Sequence, residues 1–434
     1  MSSRRALIGL SIAIAVADSA QAQLRLPIAP PPTLPVQKLT QTAGQVGGSL
    51  EPLSGLRQVG IARLIRDNPH TIAADSHGNP IIRDELLAYS PSRQAIDAAL
   101  ALGFKILREQ TIGELDIHLL VLQPPVAVNL AAALQRLRAT DPNGTYDFNH
   151  IYTASAGASV SASIDAPSLA PTGDSDSASV GVLSRVGLID SGIDIAHPAF
   201  REAVIHPWGC GGRPLASAHG TAVASLLVGQ AAQFRGVLAK AELYAADVYC
   251  NAPTGGAVDA LAAGFAWLAQ QHIAVINVSL VGPDNAALEQ IVRTLTSRGY
   301  VLVAAVGNDG PAAPPLYPAS YPHVVGVTAV DAHRHVLIEA ARGNQVMFAA
   351  PGADMAAADI GGKYSPVRGT SFAAPIVAGL LAQSVAAPDS NASDAAIESL
   401  AKEAIDLGPP GRDLTYGFGL VGAAYRTDPK LLAR

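Results

Sequence analysis

The 434-residue sequence predicts an α/β layer fold: a parallel sheet with helices on both faces, preceded by a small α+β domain. From Arg185 onward, near-solid apolar runs of strand length alternate with helical patterns, as in sheets covered on both faces. A shorter series of strand and helix patterns occupies Asp84 to Tyr152. Between the two lies a tract of Ala, Ser, Gly and Pro with almost no large side chains, too poor in burial to order itself. Apolar residues make up 49% of the chain and charged residues 15%, which suits packed cores. A net charge of -6 and the lack of a long basic block exclude nucleic acid as a partner.

Residues 1–22 carry Arg4 and Arg5, an apolar stretch from Ala6 to Ala17, and the small-residue site Ala20-Gln21-Ala22. That is the pattern of a secretory signal, with a centre too short for the roughly 20 residues a bilayer span needs. It predicts an exported protein, periplasmic or extracellular, beginning near Gln23. No second apolar span or barrel-like C-terminal stretch suggests a membrane anchor. Residues 23–83 open with "LRLPIAPPPTLPVQ" and read as a Pro-rich, irregular arm.

Within 84–152 the order is strand ("DELLAYS"), helix ("SRQAIDAALALGF", capped by Ser92), strand ("FKILREQTI"), strand ("HLLVLQPP"), helix ("AVNLAAALQRLRAT") and strand ("GTYDFNHIY"). This is the ferredoxin-like plan. His118 and His150 are scattered and read as surface or packing residues. Residues 153–181 form the linker, an easy target for cutting. Residues 182–434 form the second domain, with strands in "RVGLIDSG", "AELYAADVY", "IAVINVSL" and "YVLVAAVGN" and helices in "GTAVASLLVGQ", "AVDALAAGFAWLAQQ" and "NAALEQIVRTLTSRG". The two cysteines, Cys210 and Cys250, suggest one disulfide in an exported chain, stabilising by roughly 3–4 kcal/mol on a chain-entropy account.

Four polar residues sit at strand ends or helix starts, where such sheets place their sites. Asp190 ends "VGLID", His219 opens "HGTAVASLLVG", Asn308 lies in "AAVGNDG", and Ser371 lies in "RGTSFAAPIVAG". Each has a structural explanation: turn cap, helix-start histidine, turn asparagine, N-cap. Each also fits chemistry. A carboxylate orients an imidazole, an imidazole activates a hydroxyl, and an amide stabilises an oxyanion.

Together, "VGLIDSGIDIAHP", "HGTAVASLLVG", "INVSLVG", "AAVGNDG" and "RGTSFAAPIVAG" resemble the segments of subtilisin-like serine proteases, in the family's order. "FAAPG" and "YGFGLVGA" add to the likeness, which covers about Arg185 to Ala424. The resemblance implies that Asp190, His219 and Ser371 form a catalytic triad. The Asn308 amide and the Ser371 N–H then form the oxyanion hole, and Ser279, Leu280, Val281 and Gly282 pair with an extended polypeptide substrate. It also implies that the small domain is an inhibitory, fold-assisting propeptide released by self-cleavage between Tyr152 and Gly181. The protein is expected to be a monomer that needs no cofactor for its chemistry. Structural calcium is common in such proteins, but no compact carboxylate loop assigns a site here.

The chain departs from the family where Ala222 replaces a second histidine and where Phe372 and Ile376 flank the nucleophile segment. These positions are expected to alter packing and leave the chemistry intact. Leu316 falls near the base of the specificity pocket and implies a shallow pocket for small or medium apolar side chains. An esterase of the α/β-hydrolase type is disfavoured, because "GTSFA" is not Gly-x-Ser-x-Gly and the serine comes last. The alternative reading is a catalytically silent secreted binding protein on the same scaffold.

Overall fold

The computed structural model describes residues 56–126, 128–154, 184–213 and 215–432, all within one compact unit, Glu51–Arg434. The expected signal, the first part of the arm and nearly all of the linker lie outside the described residues. The arm is not wholly irregular. It contains helix α1 (Leu56–Asp67), strand β1 (Ile72–Ala74) and the start of β2 (Pro80–Tyr89). The prolines that dominate its composition precede α1, and Ile61, Leu64 and Ile65 give that helix an apolar face.

The small domain continues with α2 (Arg93–Ala101), β3 (Lys105–Ile112), β4 (Ile117–Gln123), α3 (Leu130–Thr140) and β5 (Thr145–His150). Ser92 and Asn129 cap the two helices through their side chains. The antiparallel sheet runs β1–β2–β4–β3, with β5 also on β2. Alternation along the strands divides the burial. Leu86, Ala88, Leu120 and Leu122 pack on α2 and α3, while Leu87, Leu119 and Val121 join a core with helices of the large domain.

A two-residue strand, β6 (Thr153–Ala154), ends this part of the chain. The large domain follows with β7 (Arg185–Asp190), β8 (Val204–Trp208), α4 (Ala218–Val228), the short pair β9 (Gln230–Ala231) and β10 (Phe234–Arg235), and β11 (Glu242–Asp247). Then come α5 (Val258–Gln270), β12 (Val275–Val278), β13 (Leu280–Val281), α6 (Ala286–Ser297), β14 (Val301–Ala305), β15 (Val325–Val330) and β16 (Val346–Pro351). The hairpin β17 (Met355–Asp359) and β18 (Lys363–Val367), α7 (Thr370–Ala382), α8 (Ser390–Glu403) and α9 (Pro429–Leu432) complete it.

Seven strands form a parallel sheet in the order β16–β15–β14–β12–β7–β11–β8. Within this sheet the chain starts at β7, sets β8 at the edge, fills the gap between them with β11, then crosses to the other side of β7. The site therefore gathers at the C-terminal end of β7, where the winding reverses. Helix α7 is buried along almost its whole length and shares one core with α4. Helices α5 and α6 pack on the opposite face and meet the small domain's sheet. Asn149 accepts the Asp259 N–H at the start of α5 (3.3 Å), and Asp147 accepts the Ala286 N–H at the start of α6 (2.7 Å). Among the described residues no helix is long and apolar enough to cross a membrane.

Candidate active site

Asp190 ends β7 fully buried. Its Oδ1 lies 2.8 Å from His219 Nδ1 and also accepts the Ser191 N–H (2.6 Å) and hydroxyl (3.0 Å). Ser191 in turn accepts the Gly220 N–H at 3.1 Å, tying the start of α4 to the end of β7. A carboxylate so placed holds the imidazole with its proton on Nδ1, leaving Nε2 as the base. Nε2 is buried and has no hydrogen-bond partner among the described residues. The ring lies against Phe372, with centroids 5.6 Å apart, so His219 sits at the first turn of α7.

Ser371 is the second residue of α7, after Gly369 at φ +136, and is fully buried. Its hydroxyl donates to the Ser279 carbonyl (3.1 Å). The Ser279 hydroxyl donates back to the Ser371 carbonyl (2.9 Å) and accepts from Asn277 Nδ2 (2.9 Å). Pro375 explains this arrangement. It lacks the N–H that would reach the carbonyl four residues earlier, and Ser279 supplies the missing donor.

Asn308 follows β14 at the same rim and is 7% exposed. Its Oδ1 accepts the Thr370 N–H (3.1 Å), which leaves the amide N–H groups as its donors beside the first turn of α7. Thr370 Oγ1 accepts the Gly307 N–H (3.2 Å), fixing the loop. The four residues named from sequence are thus brought together around one helix start. Such a start is suited to negative charge.

The segment expected to hold substrate pairs with the chain itself. Leu280 pairs with Ala154 and Val281 with Thr153, antiparallel. On the other side the Tyr152 N–H donates to Gly256 O (2.8 Å), and Ile151 bridges Ala257. Residues 151–154 therefore run as a middle strand between 256–257 and 280–281. Gly282 exchanges two hydrogen bonds with Tyr317. Tyr152 is fully buried over Gly282, where a Cβ would come within 2.7 Å of its ring, and donates to Pro283 O (2.5 Å).

Residues 184–419, more than half of the chain, match the profile described as the Subtilase family. The chain belongs to the subtilase family. Subtilisin Savinase of Lederbergia lenta is 36% identical over 213 residues, which cover 48% of this chain and 77% of that protein. Subtilisin E of Bacillus subtilis strain 168 is 33% identical over 212 residues, covering 46% of this chain and 54% of the relative. Minor extracellular protease Epr of the same organism is 30% identical over 206 residues, 47% of this chain and 32% of Epr. The chain therefore spans only a third to a half of the length of these last two. The crystal structure of fervidolysin from Fervidobacterium pennivorans, a keratinolytic enzyme related to subtilisin, matches with a TM-score of 0.62 at 19% identity. It covers 80% of this chain and 61% of that one, a likeness of fold.

In this subtilase Leu316 is buried beside Gly307, where an added Cβ would meet its Cδ1 at 2.5 Å. It stands next to the Asn308 loop. Ala222 and Ile376 are buried in the α4–α7 core. Cys210 and Cys250 form a disulfide joining the segments after β8 and β11. Among the described residues the one group of metal-ligating types is Cys210, Asp247 and Cys250, and its two sulfurs are bonded to each other. Burial pushes the Asp247 carboxyl up, against the N–H donors of Cys250 and Tyr249. Sequence reasoning missed Ser191, Thr370 and the 256–257 strand of this site. The first two adjoin named residues in the chain, and the pair Gly255-Gly256 marked a close backbone approach.

Proposed function

We propose that this subtilase is a secreted serine endopeptidase made as an inactive precursor. Asp190 holds His219 in the tautomer with Nε2 free to act as base. His219 takes the Ser371 proton as Oγ attacks the peptide carbonyl, then returns it to the leaving amine. The Asn308 amide and the Ser371 N–H stabilise the tetrahedral oxyanion, and water resolves the acyl-enzyme by the same steps. The reaction needs no cofactor. The small domain, residues 84–152, is the inhibitor, with residues 151–154 lying where an extended substrate would pair. Cutting in the linker, between Tyr152 and Gly181, frees the cleft, and the signal at 1–22 directs export. The matured protein is a monomer acting on polypeptides, with small or medium apolar side chains seated over Leu316.

The observation that best supports this reading is the Asp190–His219 bond of 2.8 Å beside the helix start that carries Ser371. In the full chain the Ser371 hydroxyl is turned to Ser279 O. Attack requires it to rotate toward His219 Nε2, and catalytic hydrogen bonds commonly tighten only with substrate. N-terminal sequencing of wild-type and Ser371→Ala protein from a protease-free host tests the scheme. Wild type should lose the small domain and hydrolyse peptides, while Ser371→Ala should accumulate uncut. Normal processing of Ser371→Ala would remove self-cleavage from the scheme.

A further inference from the structure

Residues 151–154 run between two segments of the large domain, and the two edges are not alike. Toward Leu280 and Val281 the pairing with Ala154 and Thr153 is a regular antiparallel ladder. Toward 256–257 the Tyr152 N–H reaches Gly256 O (2.8 Å), but the Gly256 N–H turns away and donates to Val248 O (2.9 Å). This edge takes a donor from residue 152 without returning its own. The Tyr152 carbonyl is met by a side chain, the Tyr249 hydroxyl, at 2.9 Å. A covered main-chain carbonyl needs a donor, and a phenol supplies one.

Tyr249 is held by groups of the large domain. Its N–H and that of Cys250 both donate to Asp247 Oδ1 (2.9 Å each). Cys250 is bonded to Cys210. Glycines let the neighbouring turn close over the tyrosine. A Cβ on Gly255 would lie 2.4 Å from Tyr249 O, and one on Gly256 would lie 3.0 Å from the Tyr249 ring and 2.3 Å from Tyr152 O. Burial pushes the hydroxyl well above its ordinary value, and the Asp190 and Asp247 carboxylates add to this, so it keeps its proton and stays a donor. These anchors lie outside residues 84–152, so cutting in the linker leaves them with the hydroxyl.

The register says which substrate residue is concerned. Ala154 lies opposite Leu280, so one further step comes opposite Ser279, whose carbonyl accepts from the Ser371 hydroxyl (3.1 Å). Counted back from that step, the place of Tyr152 is the third.

We propose that Tyr249 is a substrate-binding residue, whose hydroxyl donates to the main-chain carbonyl of the third residue before the one at the cut. Every residue type has this carbonyl, so the contact reads the reach of an extended chain and not its side chains. The inference rests on the protease reading of the same site. It deepens that reading by giving the cleft a preference for polypeptides that extend at least three residues back from the cut residue.

The test uses processed protein and acetylated p-nitroanilides that share one apolar residue at the cut. An acetyl-dipeptide stops short of the Tyr249 hydroxyl, whereas an acetyl-tetrapeptide carries the carbonyl in question. A third substrate is the tetrapeptide with that carbonyl replaced by a thiocarbonyl, whose sulfur is a weak acceptor. Tyr249→Phe should lower kcat/KM on the tetrapeptide by about fivefold or more, the scale of one neutral hydrogen bond, and leave the dipeptide unchanged. Wild type should prefer the amide to the thioamide, and Tyr249→Phe should erase that preference. An equal loss on both lengths, or no loss on either, overturns the proposal, because a residue that only supports the fold does not distinguish length. An amide preference that persists in Tyr249→Phe also overturns it. If Tyr249→Phe fails to fold, wild type decides alone, and equal rates on amide and thioamide refute the contact. Fluorophosphonate labelling of Ser371 separates the two levels. Labelled enzyme without these differences refutes only this inference, whereas unlabelled enzyme refutes the protease reading beneath it.

Discussion

The Ser279 hydroxyl donates to the Ser371 carbonyl at 2.9 Å, making the bond that Pro375 denies to α7. The helix that carries the proposed nucleophile is thereby fastened to Ser279, the residue between β12 and β13, at the point where precision matters. Ser279→Ala would strand a buried carbonyl at a cost of about 1–3 kcal/mol. It should lower the unfolding temperature and reduce kcat more than it raises KM. Restoring an N–H with Pro375→Ala in the same chain should recover part of the lost stability, which thermal unfolding of the single and double variants would show.

Asp190→Asn should keep the fold but lower kcat on the order of 10⁴-fold, the loss known for an amide at the acid of the general Ser-His-Asp template. An amide can leave His219 in the wrong tautomer, with Nε2 protonated. Steady-state kinetics on a peptide substrate measure this, with circular dichroism as the check on folding.

Tyr152 ties residues 151–154 to the 280–283 segment through its buried ring over Gly282 and its bond to Pro283 O. Tyr249 also donates to its carbonyl at 2.9 Å. Deleting a fully buried aromatic side chain costs about 3–5 kcal/mol. The Tyr152→Ala precursor should therefore react with an active-site probe faster than wild type before any cut is made. Equal labelling rates of the two uncut chains would mean that the ring does not hold the cleft closed.

Acid should loosen the small domain through Asp75. Burial pushes this carboxyl up, but hydrogen bonds from the His150 ring, the Asn79 side chain and N–H, and the His77 N–H outweigh it and hold it well below the usual carboxylate range. An acid depressed in the folded state stabilises fully above its unfolded value, near pH ~4, and loses that contribution as pH falls through its folded value. His150 Nε2 lies 3.2 Å from Asp75, and His150 ends β5 immediately before Ile151. Thermal unfolding of uncut Ser371→Ala protein should fall in this acid range, and adding Asp75→Asn should flatten the fall.

The proposed chemistry was legible because each group lies in a short contiguous segment. Asp190 and Asn308 follow solid apolar strands, and His219 and Ser371 open buried helices. The first helix of the small domain was legible with its cap, Ser92, whereas the Asn129 cap of the second appears only in the structure. Other features were hidden for physical reasons. Strand β8, which sequence reading did not name, is an edge strand containing Pro207, a residue that weakens a strand pattern. Helix α1 follows a proline-rich stretch and contains Gly60, so composition masked it. The Arg57–Asp309 pair joins residues 252 positions apart, and no local pattern reports it. Phe372 was expected only to pack. Its ring packs in the α4–α7 core and also lies against His219, a contact that sequence does not report.

The most direct test of the central claim is fluorophosphonate labelling of processed protein, mapped by peptide mass spectrometry. The account predicts one modified residue, Ser371, with labelling slowed by orders of magnitude in His219→Ala and absent in Ser371→Ala. Processed, folded protein that takes no label, or label that survives Ser371→Ala, would contradict it and favour a silent binding protein on the subtilase scaffold.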